Sequence, residues 1–407
     1  MRTRSRPLLP AFGTLVTLAL LLCLLSCQQG CPVVKAVLPN YVPIVVGSTV
    51  SPFTQPNIPF VSVTICVPNS TPCQTIDNIL LDTASPGLRI FKQALTISLP
   101  AEQSGGNPVG ECIPFAVMNA WGSVATASVT LGSEPPVTVP VQIIDSSFGT
   151  SSPPDACSTG DFTAPGEMSA NGLLGVMPTQ SDSTLATYYT CPNGSCTSFN
   201  QNAAQTVQNP VFLLPQDNNG VLVYLDAVSD QGVPQAYGSL VLGINTSANN
   251  DPNFISSGSP YKCLKSSSMS FKTTYAGQSL PLSFVDSGSN MLFFPDPTLK
   301  KCLGIFVDTY CPSSTVGESA TATDGAGTSA QVNFLIGSPL IGVGNFAFDD
   351  LGAAQPPLIS GFDWGLPFFY GRSIFIAYGS SSSQVCGTGG ISAPEWGFAP
   401  LPRDPSP

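Results

Sequence analysis

Three features of the 407-residue chain predict an all-β fold. Apolar and polar residues alternate with a period of two in several runs, long stretches of helical period are nearly absent, and 38 Gly and 40 Pro punctuate the runs. The first clear run is Phe60-Val61-Ser62-Val63-Thr64-Ile65-Cys66, in which one face is apolar and the other polar, as in a half-buried strand. The same reading holds for Ser123–Leu131, Val137–Ile144, Val221–Leu225, Ser239–Ile244, Gln331–Ile336 and Ile374–Tyr378. Turn residues fall at Pro68-Asn69-Ser70, at Gly105-Gly106-Asn107 and through Gly317–Gly327. Residues 381–407 are rich in Ser, Gly and Pro and read as a loosely attached tail, with Cys386 placed to pin its start.

Composition narrows the chemistry. Apolar residues make up 43 % of the chain and charged ones only 9 %, which is the balance of a folded protein and not of a disordered one. There is no histidine, so nucleophile systems with an imidazole base and the common histidine-ligated zinc sites are excluded. Catalysis would have to use carboxylates, a Ser/Lys pair or a bound cofactor. Lys262, Lys265, Lys300 and Lys301 sit in polar company, which argues against a buried catalytic lysine. The net charge is −11 with no basic patch, so nucleic acid is not an expected partner. No cofactor or metal is expected. Asn249–Asn253 lacks the spacing of a calcium loop and reads as a polar turn, as does Asp349-Asp350.

Residues 1–26 read as an export signal: Arg2, Arg4 and Arg6 precede an apolar stretch, Leu15–Leu25, too short to span a membrane comfortably. It ends in Leu24-Leu25-Ser26-Cys27, which resembles the bacterial lipobox. That resemblance implies cleavage before Cys27, acylation of that cysteine, and a lipid anchor in the cell envelope. Gln28, where Asp would favour the inner membrane, implies the outer one. An ordinary secretory signal with Cys27 left free is the alternative. Removal of residues 1–26 takes away three arginines and no acid, leaving a mature charge of −14 against −11 for the whole chain. Residues 27–45 read as a tether.

An oxidising envelope turns the remaining cysteines into a disulfide framework. Cys66 with Cys73, Cys191 with Cys196 and Cys302 with Cys311 are close pairs; Cys112, Cys157, Cys263 and Cys386 allow two further bridges, and Cys31 is left over.

One segment occurs twice. Leu80-Leu81-Asp82-Thr83-Ala84-Ser85-Pro86-Gly87-Leu88 aligns without a gap to Phe284-Val285-Asp286-Ser287-Gly288-Ser289-Asn290-Met291-Leu292. Each is an apolar strand running into Asp, a small hydroxyl residue, a small residue and Ser, which suggests a duplicated unit contributing one carboxylate per copy.

These motifs resemble those of pepsin-type aspartic proteases, and the chain also resembles an uncharacterised family of bacterial lipoproteins. Further landmarks fall in the protease order: Asn171-Gly172-Leu173-Leu174-Gly175, then Gly238–Gly243, then Leu358-Ile359-Ser360-Gly361 followed by Phe368–Tyr378. The resemblance covers about residues 50–380 and implies a bilobal pepsin-like fold with pseudo-twofold related β lobes, residues 46–235 and 236–380. It implies that Asp82 and Asp286 form a catalytic dyad. Two carboxyls about 3 Å apart share one proton, so one activates water while the other polarises a carbonyl, with no imidazole needed. Thr83 and Ser287 would tie the two loops together, Ser85 and Ser289 would bond the outer carboxylate oxygens, and Gly288 would allow close approach. Phe115 would sit in a flap, with Trp121 as substitute cover.

The sequence departs from the protease pattern in three places. Ala84 stands for a glycine, Phe115 for a flap tyrosine with Ala116 and Met118 for flap glycines, and no propeptide is recognisable. Three functions therefore stay open. One is a lipid-anchored monomeric endopeptidase acting on extended peptide or protein segments; another is an inactive peptide- or protein-binding module; the third is a structural envelope lipoprotein.

Overall fold

The computed structural model describes residues 40–47, 55–116, 118–149, 154, 157, 162–202, 205–265, 270–304, 308–339, 344–356, 360–379 and 394–400. The signal segment, Cys27, Cys31, Leu358, Ile359 and Cys386 lie outside them. No helix among the described residues is long and apolar enough to cross a membrane.

The fold is all-β, with two barrel-like sheets. In the first, six strands close into a ring. Pro59–Cys66 pairs with Cys73–Asp82, which runs parallel to Gly172–Val176. That strand pairs with Pro86–Phe91, which runs parallel to Val137–Ile144. Val137–Ile144 pairs with Asn119–Leu131, and Asn119–Leu131 returns to Pro59–Cys66. Closure removes the unpaired edges of these strands. Alternation explains the interior: Val61, Val63 and Ile65 are buried together with Ala125, Ala127, Val129 and Leu131 on the paired strand.

From Pro59–Cys66 the sheet continues through Tyr41–Val46, Ala236–Leu242, Gly220–Leu225, Arg372–Ala377, Glu395–Pro400 and Lys262–Lys265. Two sequence expectations are corrected here. Tyr41–Val46 belongs to this sheet and not to a tether, because Val42, Ile44 and Val46 alternate inward against Ala236–Leu242. Glu395–Pro400 is a strand and not tail, and its Trp396 and Phe398 are buried on the neighbouring Arg372–Ala377. The expected boundary at 235/236 falls inside continuous sheet, since Ala236–Leu242 hydrogen-bonds to Tyr41–Val46 and Gly220–Leu225 on either side.

The second sheet has the spatial order Ser329–Ile336, Val316–Thr323, Phe271–Tyr275 and Gln278–Val285, all antiparallel. Asp363–Trp364, Leu292–Phe293 and Gly352–Ala353 extend it beyond Gln278–Val285. Val316–Thr323 covers most of the stretch read as a turn at Gly317–Gly327, and the turn itself is confined to residues after Thr323. Phe294, Phe334, Phe362 and Trp364 form the packed aromatic interior, with Phe362 stacked between Phe294 and Trp364.

The three close cysteine pairs are disulfides, as is Cys112–Cys157. Cys263 is disulfide-bonded as well.

Candidate active site

Both copies of the repeat are built in one way. Cys73–Asp82 leads into the first Asp loop and Pro86–Phe91 leaves it, with Gly172–Val176 threaded between, parallel to the first and antiparallel to the second. Gln278–Val285 leads into the second loop and Leu292–Phe293 leaves it, with Asp363–Trp364 between them in the same two senses. In the first copy Asp82 lies opposite Gly175. A methyl on Gly175 would sit 2.3 Å from the Ser85 carbonyl, and one on Gly365 would sit 2.6 Å from the Ser289 carbonyl. The two glycines thus do the same job behind the two loops. This corrects the sequence reading of the second threading element. It is Asp363-Trp364-Gly365, four residues beyond the apolar-apolar-Gly assigned at Leu358–Gly361.

The loops are tied to each other. Thr83 Oγ1 donates to the Val285 carbonyl at 3.0 Å and accepts from Ser287 N at 3.0 Å. Ser287 Oγ donates to the Leu81 carbonyl at 2.7 Å and accepts from Thr83 N at 3.1 Å. Both side chains are fully buried. Two hydroxyls therefore serve four backbone groups, two on each loop.

This clamp brings Asp82 and Asp286 together, close enough for the charge of Asp82 to act on Asp286. Gly288 leaves room for them: a methyl there would lie 3.0 Å from Asp82 Cγ and 3.1 Å from Asp286 Oδ1. Ala84 has φ outside the left-handed region, so its methyl imposes no backbone strain. Its N–H donates to Asp82 Oδ1 at 2.7 Å, as the Gly288 N–H donates to Asp286 Oδ1 at 2.7 Å.

The carboxyls differ in their surroundings. Asp82 also accepts from Ser85 N at 3.2 Å and from Ser85 Oγ. Ser289 Oγ reaches both Asp286 and Asp363, and its single proton goes to Asp363 Oδ2 at 2.7 Å. Burial, and then the charge of Asp82, push Asp286 well above the usual carboxyl range. Asp363 is raised likewise, by burial and then by Asp286 and Asp82. Among the described residues no group of three or more His, Cys, Asp or Glu is arranged to hold a metal.

The pair lines a cleft of about 360 Å³. One hairpin, Asn107–Pro114 with Asn119–Leu131, carries Phe115 at its tip, where the Phe115 N–H closes the turn on the Met118 carbonyl at 2.9 Å. Phe115 and Ala116 border the cleft, and Phe115 packs edge-on against Phe162. Trp121 does not cover the site. It is fully buried beside the Cys112–Cys157 disulfide, its ring against Tyr189 and its N–H on the Phe148 carbonyl, so it is a core residue. Tyr370 is buried and donates to Asn57 Oδ1.

Three residues of the site escaped the sequence reading. Asp363 is the first. Glu167 lines the cleft, and although burial opposes it, hydrogen bonds from the Thr163 and Ala164 main chain and the Thr163 hydroxyl hold its carboxyl below the usual range. Asn57, fully buried with φ of 58°, donates to the Asn290 and Phe348 carbonyls at 2.9 Å and so braces the second Asp loop. An Asn before an apolar run is its only sequence signal, and that signal is unspecific.

Fold and site together define an all-β protein with two adjoining aspartates, Asp82 buried and Asp286 half-buried, lining a cleft. The chain belongs to the DUF3443 family, described as proteins of unknown function, which it matches over residues 36–393. No curated protein matches it.

Proposed function

We propose that the protein is a pepsin-like aspartic endopeptidase, favoured in acid, that is anchored in the bacterial cell envelope through an acylated Cys27. The observation that carries this reading is the reciprocal Thr83/Ser287 clamp, which sets Asp82 against Asp286 beneath an open cleft. In this reading Asp82 is the base: it is surrounded by three donors, which suits the ionised form. It takes a proton from a water held between the carboxyls. Asp286 carries the shared proton and donates it toward the scissile carbonyl oxygen as the water attacks. The peptide lies extended across the cleft under Phe115, pairing its main chain with the walls. Signal cleavage before Cys27 and an outer-membrane position complete the proposal, with the folded part acting as a monomer.

The test uses the chain from residue 27 with Cys27→Ser, secreted under oxidising conditions. Cleavage of an unfolded protein substrate is followed from acid to neutral pH beside the Asp286→Asn variant. Acid-favoured cleavage that this one change abolishes is the expected result. Folded, disulfide-bonded protein that cleaves nothing would move the assignment to a peptide-binding module. That second reading draws on Phe115, which covers the cleft without the hydroxyl a tyrosine would bring.

A further inference from the structure

The two walls of the cleft differ at one equivalent position. Leu173 lies opposite Leu80, two residues before Gly175, and Asp363 lies opposite Phe284, two residues before Gly365. Both border the cleft. The first copy therefore presents Leu80, Leu173, Phe115, Phe162 and Met168, with Glu167 as its one acid besides Asp82, while the second presents Asp363 at the position equivalent to Leu173. Among the described residues no lysine or arginine lines the cleft.

Asp363 is 1 % exposed. Its Oδ2 accepts from Ser289 Oγ at 2.7 Å, and its Oδ1 has no hydrogen-bond partner among the described residues. Burying a carboxyl oxygen without a partner costs free energy, and nothing in the sheet requires an acid where its counterpart is leucine. A ligand that brings a donor to Oδ1 removes that cost.

Building on the peptide-cleft reading above, we propose that Asp363 is a specificity residue that receives the ammonium or guanidinium of a lysine or arginine side chain of the bound peptide. The basic residue lies on the Asp286 side of the scissile bond, and an apolar residue faces Leu173 on the other. In the empty cleft Asp363 is crowded by Asp286 and Asp82, with the ionised Glu167 also on the cleft wall. Burial and these acids favour its protonated form, and an arriving cation displaces that proton: the carboxyl becomes a carboxylate paired with the cation, and one proton passes to solvent.

The experiment needs no turnover. Calorimetric titrations use the chain from residue 27 with Cys27→Ser and Asp82→Asn, in two buffers of different ionisation enthalpy. The peptides are extended octamers with a central leucine flanked on either side by arginine or by norleucine. Expected is at least tenfold tighter binding of one arginine peptide, with a proton released, and an inverted preference for norleucine in Asp363→Leu. Should that variant fail to fold, Asp363→Asn is expected to bind both peptides alike and release no proton. Equal binding of arginine and norleucine peptides by the unaltered Asp363 would overturn the inference and leave the peptide cleft standing. Binding of neither peptide by folded protein would sink the cleft reading, and this inference with it.

Discussion

Thr83→Val tests the clamp on which the site depends. Valine has the shape of threonine, so packing is kept while one donor and one acceptor vanish. Thr83 is fully buried, and its hydroxyl serves two backbone groups of the other loop, the Ser287 N–H and the Val285 carbonyl, each at 3.0 Å. Each buried group left without a partner costs about 1–3 kcal/mol. A second lone pair lets the carbonyl tolerate the loss better than the N–H does, so the sum should fall near 3 kcal/mol. Thr83→Ser is the control: it keeps the hydroxyl and loses one methyl, worth about 1 kcal/mol. Guanidinium unfolding of the oxidised protein should place the valine variant's midpoint below that of the serine variant, and cleavage should fall in the same order as the carboxyls lose their register. A valine midpoint at or above the serine one would refute the reasoning, since the hydroxyl would then be carrying nothing.

Gly288→Ala brings a methyl to 3.0–3.2 Å from the Asp82 and Asp286 carboxyls. These must give by a few tenths of an ångström, so cleavage should drop by about 10²-fold at a stability cost below about 3 kcal/mol, read by kinetics beside thermal melts. Ala84→Gly should give no gain in activity and cost about 0.5–1 kcal/mol, because Ala84 already sits at an unstrained φ. Arg89 is fully buried between Glu111, at 2.9 Å, and Asp182. Arg89→Met strands two acids and should destabilise by about 3–5 kcal/mol in the same unfolding assay. Stability should be greatest near pH 4–5 and decline toward pH 8. Burial and then Asp217 raise Glu134 to about 7, burial and then Asp349 raise Asp350 to about 7, and burial and then Asp230 raise Asp349 to about 6. Groups raised above their unfolded values stabilise at low pH and lose that contribution as pH climbs through 6–7. Against burial, Asp145 is held low by its bonds with Lys92 and Ser147, and Asp296 by those with Tyr275 and Thr298, so their contributions vanish only below about pH 4. Melting temperatures measured from pH 3 to 9 check this, and a maximum at pH 7 or above would contradict it.

Long alternating runs such as Val137–Ile144 were legible because period two persists over enough residues to exclude other readings. Glu395–Pro400 was not, since it has six residues and follows a Ser/Gly-rich stretch that masks it. Tyr41–Val46 carries the pattern too, but Pro43 and the preceding leader make it look like tether. In the site, Asp82 and Asp286 stand out because their contexts align over nine residues without a gap. Asp363 was hidden by a decoy. Ile359-Ser360-Gly361 ends an apolar run in glycine, whereas the strand that threads the second loop is only two residues long and begins with an acid. No periodicity exists over two residues, so only the parallel pairing with Phe284 and Val285 identifies it. Trp121 failed for another reason: an indole next to a hairpin reads equally well as cover or as core, and three-dimensional packing alone separates the two.

A duplicated motif would by itself give two equivalent carboxyls, and equivalent carboxyls do not divide acid and base work. The asymmetry enters through Asp363. Ser85 gives its hydroxyl proton to Asp82, whereas Ser289 gives its own to Asp363, leaving Asp286 with the Gly288 N–H as its closest main-chain donor. Fewer donors and a neighbouring acid both favour protonation of Asp286, which is why the proposed mechanism puts the shared proton there and gives the base role to Asp82. Replacing Asp363 should therefore do two things at once. It should remove the cation preference of the cleft, and it should return the Ser289 proton to Asp286, lowering the pH at which that carboxyl gives up its proton.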